Sequence, residues 1–263
     1  MSSTIHILAL HAHPDDVEFQ CAGGLALARE RGARVTIATM TPGDCGGSGI
    51  SPDEIAAIRR GEAERSAARI GAAYACLEFR DLAIFDDDSS RRRVVEFLRR
   101  VRPDVVLTAP PVDYLIDHET TSRLVRDACF AAPAPNYTTR IWEPAPPLEK
   151  IPELVFVDPL GGVDRELNPV QPHYYIDITS VYDIKRAMLS EHASQREWLR
   201  KHHGVDEYLD GLDRWSGERG REIGVARAEG YRRYLGHPYP TGDLLLKTIG
   251  QDGRGGTIER SKS

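Results

Sequence analysis

Ile5-His6-Ile7-Leu8-Ala9-Leu10-His11-Ala12-His13-Pro14-Asp15-Asp16 is the stretch that decides the fold. Its first half, up to Leu10, is a short apolar run that is typical of a buried β-strand. The polar residues from His13 to Asp16 follow directly, and residues 17–31 beyond them are predicted to form a helix. In open α/β sheets, ligands and chemistry gather in the crevice past the carboxyl ends of the strands. The sequence therefore predicts a functional site at the end of this first strand.

Strand and helix patterns alternate along the rest of the chain. Strands are predicted at residues 5–10, 34–40, 75–79, 105–108, 154–157 and 174–178, and helices at 17–31, 51–70, 89–101, 119–132, 181–203 and, broken by glycines, 207–235. This alternation is typical of βαβ units and a mostly parallel sheet, so we predict the α/β class. No break in composition demands a second domain, so residues 1–263 are predicted to form a single domain with a mobile tail after about residue 250.

Charge and composition exclude several classes of partner. The net charge of −6 over 263 residues offers no attraction to nucleic acid or to an acidic membrane. No run of about 18 apolar residues could span a bilayer, and the first residues lack the pattern of a secretory signal. The four cysteines form no C-x-x-C pair and are predicted to be free thiols. We therefore expect a cytoplasmic protein, and the proline-rich segment 131–147, a candidate lid or subunit contact, indicates a homo-oligomer.

The polar cluster after the first strand contains the donors of a metal site. Zinc binds imidazole nitrogen and carboxylate oxygen, and catalytic zinc sites keep one position open for water. His13 and Asp16 are close enough on one turn to bind the same ion. His118 is the best-placed third ligand, because it also follows an apolar strand and precedes a helix. Asp15 is then available as the general base for a water whose pKa the metal lowers.

A second interpretation of the same residues needs no metal. Asp15 and Asp16 would cap the N-terminus of the following helix, as many aspartates do. Capping explains one aspartate, but neither the His13-Pro14 pair nor the second polar cluster at residues 113–118. Short motifs often match by chance, so the residues alone leave both interpretations open.

The chain also resembles a known family, the LmbE-like (PIG-L) zinc-dependent N-acetylglucosaminyl deacetylases. The resemblance is carried by Ala12-His13-Pro14-Asp15-Asp16 with Glu18 and Gly23-Gly24, by Asp113 to His118, and by Arg59-x-x-Glu62, Asp177-Ile178-Thr179 and His192-x-Ser194-Gln195. It implies a Rossmann-like three-layer sandwich, one Zn²⁺ per chain and hydrolysis of an N-acyl group, commonly the acetyl of an N-acetylglucosamine derivative. By position, the zinc ligands are His13, Asp16 and His118, and the catalytic base is Asp15.

Four more residues are candidates for binding substrate or for orienting a group of the site. Arg59 matches a family position that contacts substrate, although an arginine three residues before Glu62 is also a common solvated pair. Asp44 lies in the glycine-rich loop after the second strand, where it would bind a sugar hydroxyl or serve only as a turn residue. His192 is a further candidate for substrate binding, and Asp117 is expected to orient a group of the site from behind the ligands.

One position departs from the family pattern. Family members usually carry a histidine three residues before the second zinc histidine, where it helps to stabilise the oxyanion, and this chain has Leu115 there. Loss of one oxyanion donor typically lowers the rate by about 10²–10³-fold. The sequence leaves three explanations open: the zinc acts alone, a residue such as His173 or His192 supplies the donor, or the activity is weak.

Three functions compete at this stage. The leading one is a zinc hydrolase that removes an acyl group, in the first place acetyl, from a small N-acylated amino sugar. The second is an amidase of a larger thiol-sugar conjugate, which would use the same zinc chemistry. The third is a sugar- or nucleotide-binding module without chemistry, which Leu115 favours and the absence of a G-x-G-x-x-G or P-loop motif disfavours.

Overall fold

The computed structural model describes residues 4–47, 49–196 and 207–251. Within these ranges one sheet has the strand order β3-β2-β1-β4-β5-β7-β6. Its strands are β1 (His6–His11), β2 (Arg34–Thr39), β3 (Ala73–Cys76), β4 (Val105–Thr108), β5 (Glu153–Val157), β6 (Tyr174–Asp177) and β7 (Ala228–Arg233). The strands from β3 to β5 are mutually parallel, and β7 runs antiparallel to both of its neighbours. The predicted α/β fold with a mostly parallel sheet is confirmed.

The helices of the same ranges alternate with the strands from β1 to β5, and two more precede β7. They are α1 (Asp16–Gln20), α2 (Ala22–Glu30), α3 (Pro52–Ala68), α4 (Asp88–Val101), α5 (Ile116–Ala131), α6 (Tyr182–Ser190), α7 (Glu207–Ile223) and α8 (Leu244–Ile249). The start of α3 shows how local sequence sets a boundary. Ser51 and Glu54 form a reciprocal capping box there, and Pro52 occupies the first helical position.

Helices cover both faces of the sheet. Along β1, Ile7 and Ala9 belong to one buried core and Leu8 and Leu10 to the other. Residues of α2, α6 and α8 pack in the first core, and residues of α4 and α5 in the second. A strand that is buried on both faces needs apolar side chains on both faces. The residues from Ile7 to Leu10 of β1 are therefore all apolar. The result is a sandwich of three layers.

The sheet order brings two distant parts of the chain together. From β1 the chain proceeds to β2 on one side, and it later returns to β4 on the other side of β1. The register pairs Ile7 with Val105 and Leu10 with Thr108, so the ends of β1 and β4 lie side by side. Such a reversal of strand order opens a crevice at the carboxyl ends of the strands. His13 follows β1 at this crevice, and His118 follows β4.

The prediction of a helix over residues 207–235 is wrong in its second half. Helix α7 ends at Ile223, and residues 228–233 form β7 between β5 and β6. This strand buries Glu229, whose carboxylate lies 2.5 Å from Lys185 Nζ and accepts the backbone N–H groups of Gly23 and Gly24 at 2.8 Å. An ion pair formed with a distant helix leaves no local pattern, so no strand was predicted here.

Smaller differences concern the ends of elements. The predicted helix at 17–31 consists of α1 and α2, which are separated at Cys21, and the third strand is at 73–76 rather than 75–79. Of the predicted helix at 181–203, α6 occupies 182–190, and residues 197–203 lie outside the described residues, as does the predicted tail from 252 onward. Among the described helices, none has the length and apolar character that crossing a bilayer requires.

The proline-rich segment 131–147 packs on α4. The guanidinium of Arg92 lies 4.7 Å from the centre of the Tyr137 ring, and the Thr139 hydroxyl donates to Glu96 at 2.7 Å. No residue of the segment lines the cavity described below. These contacts disfavour the lid, whereas the subunit contact stays a prediction.

Candidate active site

Three predicted metal ligands converge where β1 and β4 end. His13 follows β1, Asp16 is the first residue of α1, and His118 lies in the first turn of α5. His13 Nδ1 is 3.3 Å from His118 Nε2 and 3.6 Å from Asp16 Oδ2, and His118 Nε2 is 3.3 Å from Asp16 Oδ1. The two imidazoles, 105 positions apart in the chain, thus face one carboxylate.

The separations between these donor atoms fit a single ion. Zinc bonds of about 2.0–2.1 Å in tetrahedral geometry place neighbouring donors about 3.3 Å apart. The observed separations of 3.3–3.6 Å agree with that value. Three protein donors leave a fourth position for water or substrate, as in catalytic zinc sites. The chemistry and spacing of the donors therefore fit a divalent metal ion.

Two further carboxylates orient the histidines. Asp117 Oδ2 lies 3.2 Å from His13 Nε2 and accepts the backbone N–H of Leu82 at 2.7 Å. Asp113 Oδ1 lies 2.9 Å from His118 Nδ1. Metal-binding histidines commonly donate their second ring N–H to a carboxylate in this way. Asp117 therefore contacts His13 and not its sequence neighbour His118, which Asp113 orients instead.

The carboxylates make the site favour positive charge. Burial alone would lower the pKa of both histidines, but Asp16 and Asp113 raise the pKa of His118 to about 11, and Asp117 and Asp16 raise that of His13 to about 9. Burial likewise opposes the ionisation of Asp16, yet His118 and His13 hold its pKa well below the usual range. The carboxylates therefore favour positive charge at this position, which a divalent cation would supply.

Asp15 has partners of its own. Its backbone φ is 104°, a region that few residues other than glycine adopt. Asp15 Oδ2 accepts a hydrogen bond from the Tyr208 hydroxyl at 2.8 Å and lies 3.5 Å from Arg59 Nη2. Burial raises the pKa of Asp15, and Arg59 opposes that effect. Asp15 precedes α1 but its side chain makes no capping hydrogen bond, so the capping interpretation fails for this residue.

A cavity of about 640 Å³ opens over these residues. His13, Asp15, Asp16 and His118 all line it. Other parts of its wall are apolar or aromatic: Leu82, Tyr114, Leu115, Leu160 and Trp215. The Tyr114 ring meets the His118 ring edge-on, with 5.4 Å between the ring centres. A concave, largely apolar site with a few convergent polar groups is typical of small-molecule binding.

Arg59 lines the cavity, and two of its three guanidinium nitrogens, Nη1 and Nη2, are engaged by backbone carbonyls. It donates to the carbonyl oxygens of Pro14 at 2.7 Å and Gly43 at 3.2 Å. These bonds join the loop after β1 to the loop after β2 underneath Asp15. The geometry therefore favours a supporting role for Arg59 over the predicted contact with substrate.

Asp44 and His192 do not line the cavity. The buried Asp44 carboxylate accepts from Arg80 Nη1 and from the backbone N–H of Asp81, each at 2.9 Å. His192 is fully buried, with Nε2 3.2 Å from Glu18 Oε1. His173 is also absent from the cavity wall. Neither His173 nor His192 is therefore placed to supply the donor that Leu115 lacks.

Asp81 and Tyr208 are two of the cavity residues that the sequence analysis did not identify. Asp81 lies in the loop after β3, and its side chain is only 6% exposed. Its Oδ1 has no hydrogen-bond partner among the described residues and lies 3.9 Å from His13 Nε2. A buried carboxylate oxygen without a protein partner can accept from water or a ligand, or bind a cation. The position of Asp81 after a strand was a usable signal, whereas Tyr208, in α7, had none.

Comparison with known proteins finds a family match for the first half of the chain. Residues 8–129 match the family model PIG-L, described as GlcNAc-PI de-N-acetylase. This match confirms the resemblance of this part of the chain to the LmbE-like deacetylases.

The relatives differ in activity and include a hydratase as well as deacetylases. The chain is 26% identical over 196 residues to a 4-oxalmesaconate hydratase of Pseudomonas putida, covering 72% of this chain and 73% of that protein. It is 25% identical over 230 residues to a probable N-acetyl-alpha-D-glucosaminyl L-malate deacetylase 2 of Bacillus anthracis, covering 81% and 94%. The structure of the N,N'-diacetylchitobiose deacetylase from Pyrococcus horikoshii is similar with a TM-score of 0.74 and 26% identity, covering 91% of this chain and 88% of that one.

Proposed function

We propose that this protein is a zinc-dependent hydrolase that removes an acetyl group from an N-acetylated amino sugar or a related small molecule. The observation that carries the proposal is the meeting of His13, Asp16 and His118 beside Asp15 at one cavity. The match to the PIG-L model and the deacetylases among the relatives support it.

The residues of the site have separate tasks in this reaction. A bound zinc ion would polarise the amide carbonyl and lower the pKa of a water molecule. Asp15 accepts a proton from the attacking water and returns it to the nitrogen of the leaving amine. Asp113 and Asp117 keep the ligand histidines oriented through their second ring nitrogens. Asp81 Oδ1 is available to accept a hydrogen bond from a substrate hydroxyl or N–H.

The size of the acyl group that is removed distinguishes two versions of this proposal. An amidase of a larger thiol-sugar conjugate would use the same ligands and the same base. A cavity of about 640 Å³ with apolar wall residues admits either substrate. Measuring which acid is released, acetate or a larger one, separates the two.

Hydration is a second candidate function. Leu115 stands where the deacetylase pattern has an oxyanion donor, and a hydratase is among the relatives over 72% of this chain. A hydratase adds water across a double bond, so it needs an activated water but has no leaving amine to protonate. The same metal ligands and Asp15 would serve that reaction.

The test is an assay of acetate and amine release over a panel of N-acetylated amino sugars, with and without a chelator. The wild-type protein should release acetate and amine in equal amounts, and chelation should stop the release until zinc is restored. Asp15→Asn should keep its metal and lose about 10²–10⁴-fold in turnover, because a general base contributes about that much. Asp53→Asn, which alters a carboxylate whose side chain is 95% exposed, is the matched control and should behave as wild type.

Two outcomes would contradict the proposal. Unchanged turnover in Asp15→Asn would remove Asp15 from the mechanism. Hydration of an unsaturated acid without amine release from any N-acetylated compound would move the protein to the hydratases.

The proposal also includes the domain organisation, the cellular location and the oligomeric state. We infer a single domain over residues 1–263, a cytoplasmic location and a homo-oligomer. The four cysteines are free, which suits a reducing compartment. Trp142 is 90% exposed, and Phe130 is also exposed, which suits coverage by another subunit.

A further inference from the structure

Tyr208 reaches the candidate base from a distant part of the chain. It lies in α7, 193 positions after Asp15 and outside the residues that match the PIG-L model. Its side chain is buried, yet it forms part of the cavity wall. Its hydroxyl donates to Asp15 Oδ2 at 2.8 Å. No pattern in the sequence connects these two residues.

We propose that Tyr208 is a positioning residue that holds the carboxylate of Asp15 in its working orientation. The hydrogen bond occupies Oδ2, and no hydrogen bond within the described residues engages Oδ1. Oδ1 is therefore the oxygen that remains for proton transfer. This inference rests on the proposed function, in which Asp15 is the general base.

Asp15 requires such support because its backbone is strained. A residue other than glycine at φ 104° costs on the order of 1–3 kcal/mol and persists only where its surroundings hold it. Arg59 contributes from one side, but its Nη2 is 3.5 Å from Asp15 Oδ2 and donates to the Pro14 carbonyl at 2.7 Å. The 2.8 Å bond from Tyr208 is within the normal range of O–H···O hydrogen bonds, so it is the stronger restraint.

Packing fixes Tyr208 in turn. Its ring meets Phe19 of α1 edge-on, with 5.0 Å between the ring centres. Burial, followed by the charge of Asp15, raises the pKa of Tyr208 well above its usual range. The hydroxyl therefore keeps its proton and remains a donor. Replacement by phenylalanine would remove the hydrogen bond while retaining the ring that packs on Phe19.

The experiment compares Tyr208→Phe with Tyr182→Phe in the amine-release assay. Tyr182 makes an equivalent bond, from its hydroxyl to Asp213 at 2.5 Å, but is not part of the cavity wall. Tyr208→Phe should lower kcat by about 10–10²-fold, the order of loss expected from misplacing a catalytic group, with KM and the metal content unchanged. Tyr182→Phe should leave kcat, KM and metal content at wild-type values.

A double variant separates positioning from a general structural effect. If Tyr208 acts through Asp15, adding Tyr208→Phe to Asp15→Asn should change the residual kcat by less than about 2-fold, because coupled residues are not additive. An equal loss in both backgrounds, or wild-type kcat in Tyr208→Phe alone, would overturn the inference. If the wild-type protein releases no amine, the proposed function fails first and the role of Tyr208 fails with it.

Discussion

Adjacent aspartates with different partners define the chemistry at the scale of single residues. The Asp16 carboxylate faces His13 and His118, whereas the Asp15 carboxylate faces Tyr208 and Arg59. The positive φ of Asp15 turns the backbone between them. Two neighbouring residues of one type can therefore serve as metal ligand and as base.

Gly23 and Gly24 show a second constraint on single residues. Glycine inside a helix costs stability, which indicates a close packing contact, and the structure shows one at each position. A Cβ atom at Gly24 would collide with the Tyr231 hydroxyl, and one at Gly23 with Ile178. The close approach also lets the backbone N–H groups of both glycines reach the Glu229 carboxylate.

We expect Gly24→Ala to lower the free energy of unfolding by about 1–3 kcal/mol, the usual cost of overpacking a tight interior. Urea denaturation measures the change. Gly211→Ala is the matched control, because Gly211 is also helical and a Cβ there meets nothing within 4 Å. That control should leave stability unchanged or raise it by about 0.5–1 kcal/mol, since alanine favours the helix. Equal stability of Gly24→Ala and wild type would disprove the packing constraint.

Among the elements, α7 makes the largest contribution to the cavity that was not predicted from the sequence. It carries Tyr208 and Trp215 to the cavity wall. An ion pair joins it to the sheet, because Arg219 Nε of α7 donates at 2.6 Å to Asp158, the residue after β5. Both side chains of this pair are buried.

The Asp158 carboxyl should give stability a recognisable pH dependence. Burial raises its pKa to about 6, although Arg219 and Arg232 act to lower it, and Glu222 adds to the rise. A carboxyl whose folded pKa exceeds the unfolded value of 3.8 favours the folded state fully below about pH 4. That contribution is lost as the pH rises through about 6.

Replacing Asp158 by asparagine removes this titration. We expect the free energy of unfolding of Asp158→Asn, relative to wild type, to shift in the variant's favour by about 2 kcal/mol between about pH 4 and 7. Urea denaturation across that range measures the shift. Asp53→Asn, at an exposed carboxylate, should show no such shift. A difference between Asp158→Asn and wild type that stays constant with pH would contradict the expectation.

The elements also show what local patterns can predict. Strands β1, β2 and β4 were predicted to within a residue, because each is a short apolar run bounded by polar residues. β7 was missed because it contains Glu229, which is tolerated in the interior only through Lys185 and the glycine N–H groups. Long-range pairing of this kind is set by the fold and not by the sequence nearby.

The order of the strands creates the site at the scale of the whole molecule. The sequence showed that His13 and His118 each follow an apolar strand, but not that β1 and β4 are neighbours. The expectation that the two histidines bind one ion came from the family motifs in which they lie. The contribution of Tyr208 depends on a helix that meets the site only in the folded chain, so sequence patterns could not place it.

The most direct measurement is the metal content of His118→Ala beside that of wild type, with amine release assayed on the same samples. The wild-type protein should hold one divalent ion per chain, and His118→Ala should lose both the ion and the activity, because its two remaining ligands come from one turn. His173→Ala, which alters a histidine outside the cavity wall, should keep both. A His118→Ala protein that retains one ion per chain and wild-type turnover would contradict the account.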